Sequence, residues 1–286
     1  MTPLELLTRW LARQLPADAA AWLQKSSAQT RSSGKDADLY FAVSLVARKL
    51  GKADLVLSDA DLRDANASRT GWDPRDWSAD QAARVLLVLA LEQDPQRLAR
   101  ALDQLCNSAD VSELVAFYRG LPLYPEQPRY LARATEGLRT NIKGVFEAIA
   151  LRNPYPSEQF PQAAWNQMVL KALFVGSALW PIVGLDRRAN AELARMLCDY
   201  AHERWSAGRP VSPELWRCVG PHASGTMLKD LERVLKEGTD PERRAAALAL
   251  RASPDPAAAP MLQRDAALAK AVAGGELTWE RVVAAA

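Results

Sequence analysis

The chain has 286 residues, enough for one or two ordinary domains, and 49% of them are hydrophobic against 24% charged. That balance excludes disorder over most of the length, which would need low hydrophobicity and high net charge. Lys and Arg total 36 against 34 Asp and Glu, so no global basic excess points to nucleic acid or an acidic membrane.

In chain order, Leu4, Leu7, Leu11 and Leu15 recur at helical steps and Pro16 closes the first helix. A second helix is expected over Ala17–Gln29 with Trp22 and Leu23 inward, and a polar loop ends it by Gly34. Asp36–Leu50 carries the stripe Leu39, Ala42, Val43, Val46 and Leu50, with Gly51 as its stop. Leu55-Val56-Leu57 is the one strand-like run, too short for a sheet, and Asp59–Ala67 reads as one or two helical turns. Ser78 with Gln81 three residues on is a capping box for a nearly all-apolar helix, Ala79–Glu92, which should be central. Asp94-Pro95 and Asp110 open the next two helices, the second ending near Gly120.

Three prolines in Leu121–Pro128 mark a connector, and a long helix is expected over Arg129–Leu151. Asn153-Pro154-Tyr155-Pro156 reads as a turn. Pro161 then begins an apolar helix to about Leu179, followed by a turn at Pro181–Leu185 and a helix over Ala189–Ala207. Ser212-Pro213-Glu214 is a helix start, Ala223–Glu237 is helical, and Asp240-Pro241-Glu242 opens Arg243–Ala252, whose pattern is like the inner helix of a HEAT repeat. Short helices, including Leu277–Ala285, complete the tail. Many helices with short connectors and almost no strand signal give an all-α fold of stacked helical hairpins, an α-solenoid or HEAT-like superhelix without strict repeats. It is expected as a single domain over 1–286, with an N-terminal half at 1–120 and a C-terminal half at 121–286.

Cys106, Cys198 and Cys218 are odd in number and far apart, so neither a disulfide framework nor a metal knuckle follows. Only His202 and His222 could add imidazole ligands; no metal site and no cofactor are expected. The N-terminus lacks the basic and apolar regions of a signal peptide. The longest apolar run, Met168–Gly184, holds Lys171 and Pro181 in 17 residues, where a membrane span needs about 20. The expected location is the cytoplasm.

Chemistry concentrates between Arg139 and Arg209. A helix apolar on every side would be buried on every side, which brings Asn166, Gln167 and Lys171 near the core. They then either line a polar pocket or, with Lys171 reaching the surface, serve the structure. In the next helix, Ala189, Leu193, Met196 and Tyr200 are the inward stripe. Glu192, Arg195, Asp199 and His202 share another face, where Asp199 could orient His202 and Glu203 could act as acid or base, or the face could be a solvated ladder of ion pairs. No His-Glu-x-x-His pair exists. Asp186 is a candidate cap, and Arg187, Arg188 and Asn190 beside it could receive a phosphate or carboxylate, or make inter-helix ion pairs. Trp165, Trp180 and Trp205 could wall a cavity, although tryptophans are more often core.

Asn153-Pro154-Tyr155-Pro156, Ala164–Phe174, Gly184–Arg188 with Asn190, and Asp199–Trp205 resemble the EboA-domain family, and Glu242-Arg243-Arg244-Ala245 also fits. Over the N-terminal 120 residues the agreement is in length alone. The resemblance implies a bacterial protein encoded with partners: a prenyltransferase-like membrane protein, a TatD-like hydrolase, a sugar-phosphate-isomerase-like barrel and a dehydroquinate-synthase-like enzyme. That set is associated with traffic of secondary-metabolite precursors out of the cytoplasm. It carries no catalytic residues to this chain. Three readings follow: a non-catalytic adaptor or small-molecule-binding protein in processing and export; an enzyme on an anionic metabolite using His202 or Glu203 with Arg187 and Arg188; and a pure protein–protein scaffold. Under the first, the candidate ligand residues are Asn153, Tyr155, Trp165, Asn166, Gln167, Lys171, Arg187, Arg188, Asn190, Asp199, His202 and Glu203, and the partners are proteins of the same system and an anionic small molecule.

Overall fold

A computed structural model describes residues 1–285. Among these residues the chain is all-helical, with eighteen α-helices, three short 3-10 turns and no strand. Leu55–Leu57 contributes only to an isolated antiparallel bridge beside it, Asp54 with Ser78. The chain divides into two compact units, Met1–Pro161 and a second that begins at Gln162.

The first unit holds α1 (Pro3–Gln14), α2 (Ala17–Ser32), α3 (Asp36–Leu50), α4 (Asp59–Ser68), α5 (Ala79–Leu89), α6 (Pro95–Ser108), α7 (Val111–Arg119), α8 (Leu131–Leu138), α9 (Lys143–Ala150) and α10 (Tyr155–Gln159). Its centre is α5, on which α1, α2, α3, α6 and α7 pack. Every α5 residue except Gln81 is buried, as its unbroken apolar run requires. The Ser78 N–H donates to Gln81 Oε1 at 3.3 Å. The Ser78 hydroxyl donates to Asp80 at 2.5 Å, and Asp80 in turn accepts from Arg84 at 2.5 Å. That ion pair lies wholly inside the unit, with 3% and 1% of the two side chains exposed. Trp10, Trp72 and Trp77 form a chain of ring contacts nearby, at 5.5 and 6.0 Å.

Four expectations are corrected in these elements and the next. α2 continues to Ser32, because Ser27 and the fully buried Thr30 extend its inner face without an apolar side chain to signal it. The single helix over Arg129–Leu151 is two helices, α8 and α9, that pack on each other. Thr140 Oγ1 accepts the Ile142 N–H at 3.1 Å, a local turn that competes with helix. The fold-back is tight at Gly137, where a Cβ would stand 2.6 Å from both Ile149 and the Tyr118 ring. Tyr155 and Pro156 belong to a short helix rather than a turn, since proline is tolerated in a first helical turn.

The second unit holds α11 (Gln162–Phe174), α12 (Ala191–Ser206), α13 (Leu215–Val219), α14 (Thr226–Glu237), α15 (Asp240–Ala252), α16 (Ala258–Gln263), α17 (Ala266–Ala273) and α18 (Trp279–Ala285). The fourth correction is at α11, which stops at Phe174 instead of Leu179. Gly176 takes a left-handed φ of 69°, the Ser177 N–H reaches Ala172 O at 2.8 Å and the Gly176 N–H reaches Leu173 O at 3.2 Å, a Schellman stop. The unit is built on α15, which contacts α13, α14, α16, α17 and α18. Ala245, Ala246, Ala247 and Ala249 are all fully buried there, and their small side chains let neighbours approach closely. The closest approach is Gly220, where a Cβ would lie 2.7 Å from the Ala249 Cα.

Candidate functional site

Asn153 and Tyr155 belong to the first unit, and both are structural joints. The buried Asn153 amide donates to Tyr118 O at 3.1 Å and Ala148 O at 3.0 Å, and its oxygen accepts the Tyr155 N–H at 3.0 Å. The Tyr155 ring is fully buried and its hydroxyl donates to Gln127 O at 2.8 Å. Arg152, in a left-handed conformation, holds this corner to Asp73 and Asp76 at 2.8 and 2.7 Å.

The remaining candidates lie in the second unit. α11 is not buried on every side: Gln162, Ala163, Gln167 and Phe174 are exposed, Lys171 is half-buried, and Asn166 is buried. Asn166 and Asn190 exchange amide hydrogen bonds at 2.9 and 3.2 Å. Asn190, and not Asp186, is the N-cap of α12: its oxygen accepts the Leu193 N–H at 2.9 Å while its amide also reaches Arg188 O at 3.0 Å. The Arg188 guanidinium lies 4.7 Å above the Trp165 ring, a cation–π contact, and its burial, then Arg187, lowers its pKa. Desolvation likewise lowers the Lys171 pKa. Trp165, Asn166, Arg188 and Asn190 are therefore brought together.

Asp186 serves another purpose. It accepts from Nε and Nη2 of Arg217 at 2.6 Å each, a two-pronged pairing that ties the Gly184–Arg188 turn to α13. The Glu214 side chain, nearly buried, accepts the N–H groups of Leu179 at 3.0 Å and Trp180 at 2.6 Å. Sequence reading assigned Glu214 only to a helix start, because its partners are 34 and 35 residues away.

The inner stripe of α12 is Leu193, Ala194, Leu197, Cys198 and Ala201, so the apolar face is turned from the expected one and Met196 and Tyr200 are half-buried. Arg195 bridges Glu192 and Asp199 on an exposed face. Asp199 thus does not orient His202; His202 Nε2 pairs with Asp230 of α14 at 2.8 Å. The His202 ring also touches Trp205 at 5.6 Å, Trp205 stacks on Trp216 at 5.9 Å, and Arg233 lies 4.4 Å over the Trp205 ring. Glu203 is exposed. Arg188 lies in the turn before α12, whereas His202 lies within that helix, about 16 Å of helix rise past Ala191. Trp165, Trp180 and Trp205 likewise occupy separate settings: beneath Arg188, 44% exposed, and against Trp216.

The three thiols are buried, and burial raises the pKa of each to about 12, which makes them inert. Among the described residues no group of three or more His, Cys, Asp or Glu is arranged to hold a metal ion, and no helix is long and apolar enough to cross a membrane.

Among the described residues the protein is all-helical, and polar side chains tie its helices and turns together within each of the two units. A family model described as "Metabolite traffic protein EboA" matches residues 3–220, and the chain belongs to that family. The matched region takes in the N-terminal residues, where motifs were silent, and ends before Glu242–Ala245, which the resemblance had included. No curated protein and no solved structure matches the chain.

Proposed function

We propose that the chain acts in metabolite traffic as a non-catalytic helical adaptor, on the cytoplasmic side, in the processing and export of a secondary-metabolite precursor. What supports this reading is that the polar groups of residues 162–217 bind one another. Asn166 with Asn190, Asp186 with Arg217 and Glu214 with two backbone N–H groups fix a rigid surface. The acid/base reading gains no such support, because His202 is engaged by Asp230 of α14 while Arg188 lies over the Trp165 ring. Arg187 and Arg188 remain the proposed contacts for an anionic metabolite or partner group.

The proposed partner surface is the end of α11 and the connection after it, where Phe174 is 76% exposed and Trp180 44% exposed. Exposed aromatic side chains on a braced loop are the usual anchors of a protein interface. Pairs such as α2 with α3 and α14 with α15 support a HEAT-like stacking of hairpins within each unit.

The test is binding of the purified chain to the prenyltransferase-like membrane protein of the same system, held in nanodiscs. The expected result is saturable binding that falls by about tenfold or more in a Phe174→Ser/Trp180→Ser variant with an unchanged melting curve. Absence of binding by the wild type, or full binding by the folded variant, sinks the proposal.

A further inference from the structure

A cavity of about 600 Å³ opens between α1 and α2, far in sequence from the residues discussed above. Its origin is in the composition of α2. Alanines 17, 20, 21 and 28 line the cavity from that helix, and their methyl groups are too short to fill the space toward α1. α1 packs chiefly on α5 and α2 chiefly on α3, and the two pack only lightly on each other. Leu86 of α5 is the floor, Leu11 and Leu23 are buried walls, and the exposed Ala12, Ala21 and Ala28 leave the top open. The lining runs from Ala17 to Arg31 along α2, about 20 Å of helix, so the cavity is a trough.

Two further features define what would lie in it. No aromatic ring lines the trough; the walls are alanine and leucine, with Thr8, Gln24, Ser27 and Arg31 as the polar members. Such walls suit an aliphatic chain better than a flat ring that gains from stacking. Arg31 stands at the open end, opposite the Leu15–Ala17 hinge, and also lines an adjoining cavity of about 540 Å³ with Arg9, Glu5 and Glu92. Arg9 is bound to Asp64 and Glu5 to the Thr2 N–H, whereas the Arg31 side chain makes no hydrogen bond or ion pair among the described residues.

We propose that this trough binds a single-chain aliphatic carboxylate, its tail on the leucines and alanines between α1 and α2 and its head on the guanidinium of Arg31. The volume lies within the 300–1,000 Å³ usual for small-molecule sites, and one correctly placed charged group in an apolar cleft is their common form. Arginine supplies a two-pronged match to a carboxylate. The site shares no residue with the adaptor surface, and its test is independent of that reading.

The experiment is titration of the full chain with a fluorescent polyene fatty acid and with the corresponding fatty alcohol. One saturable site is expected for both probes, with the acid tighter. Ala20→Trp and Ala21→Trp, which put an indole into the trough, should each weaken both probes by about tenfold or more. Arg31→Glu should weaken the acid by about tenfold and leave the alcohol unchanged. Ala21 and Arg31 are exposed and Ala20 is half-buried, and thermal melts verify that each variant stays folded. Wild-type protein that binds neither probe overturns the proposal, as does undiminished binding by folded Ala20→Trp and Ala21→Trp. Equal loss of acid and alcohol in Arg31→Glu overturns the head-group assignment.

Discussion

Replacing Asn190 by alanine tests whether the middle stretch is a structural joint. The substitution removes the α12 cap, which costs about 1 kcal/mol. It also strips Asn166, 2% exposed, of both its hydrogen bonds, and a buried amide without partners costs about 1–3 kcal/mol. The expected loss is therefore about 2–4 kcal/mol, read as a fall in the urea midpoint by far-ultraviolet circular dichroism. Asn190→Asp keeps the capping oxygen and adds a negative charge at the positive end of the helix, so it should recover about 1 kcal/mol of that loss. Asn166→Ala and the double variant complete a cycle whose coupling should reach about 1 kcal/mol or more. A loss below about 0.5 kcal/mol for Asn190→Ala, or purely additive effects in the cycle, would refute the joint.

Three other outcomes are expected. Asp80→Ala leaves the enclosed Arg84 guanidinium with Glu113, 3.7 Å away, as its remaining ion-pair partner, at a cost of about 3 kcal/mol in thermal or denaturant unfolding, whereas an Asp80→Leu/Arg84→Met double variant should lie much closer to wild type. The Asp61 carboxyl is held below the usual carboxylate range, first by the Arg13 guanidinium and also by Ser58. Its folded pKa is depressed, so its contribution is full above the unfolded value of about 4 and is lost as pH falls through the folded value; Asp61→Asn should flatten the acid limb of the stability profile. Thiols raised to about 12 are almost entirely protonated at pH 8, so Ellman's reagent should leave Cys106, Cys198 and Cys218 unmodified in native protein and titrate all three in guanidinium.

The parts of the fold legible in the sequence are those with local causes. Asp94 and Asp110 accept the N–H groups of Arg97 and Glu113 because the cap and its recipient are three residues apart. The unbroken apolar run of α5 announces its burial in the same way. The sequence misleads where tertiary packing or a turn overrides the local signal. The apolar spacing of Leu138, Ile142 and Val145 continues across the α8–α9 break, so periodicity cannot detect it. Val175 and Leu179 extend the apolar run of α11 past Gly176, whose left-handed turn ends the helix. At the candidate site the residue types were legible and their partners were not. His202 finds Asp230 across 28 residues, and Arg217 finds Asp186 across 31, by packing that no spacing rule encodes.

The contact of Gly220 with Ala249 predicts an order of assembly during synthesis. The faces of α13 that carry Leu215, Trp216 and Cys218 are fully buried in the finished protein, and α15 is one of the elements that cover them. A nascent chain released as far as Gly220 still lacks that cover. The 3-10 turn that follows α13 is expected to settle once the alanine-rich helix has emerged to receive it. A shortened version designed to stop where the family match stops would carry that exposed apolar surface permanently, and should partition into inclusion bodies.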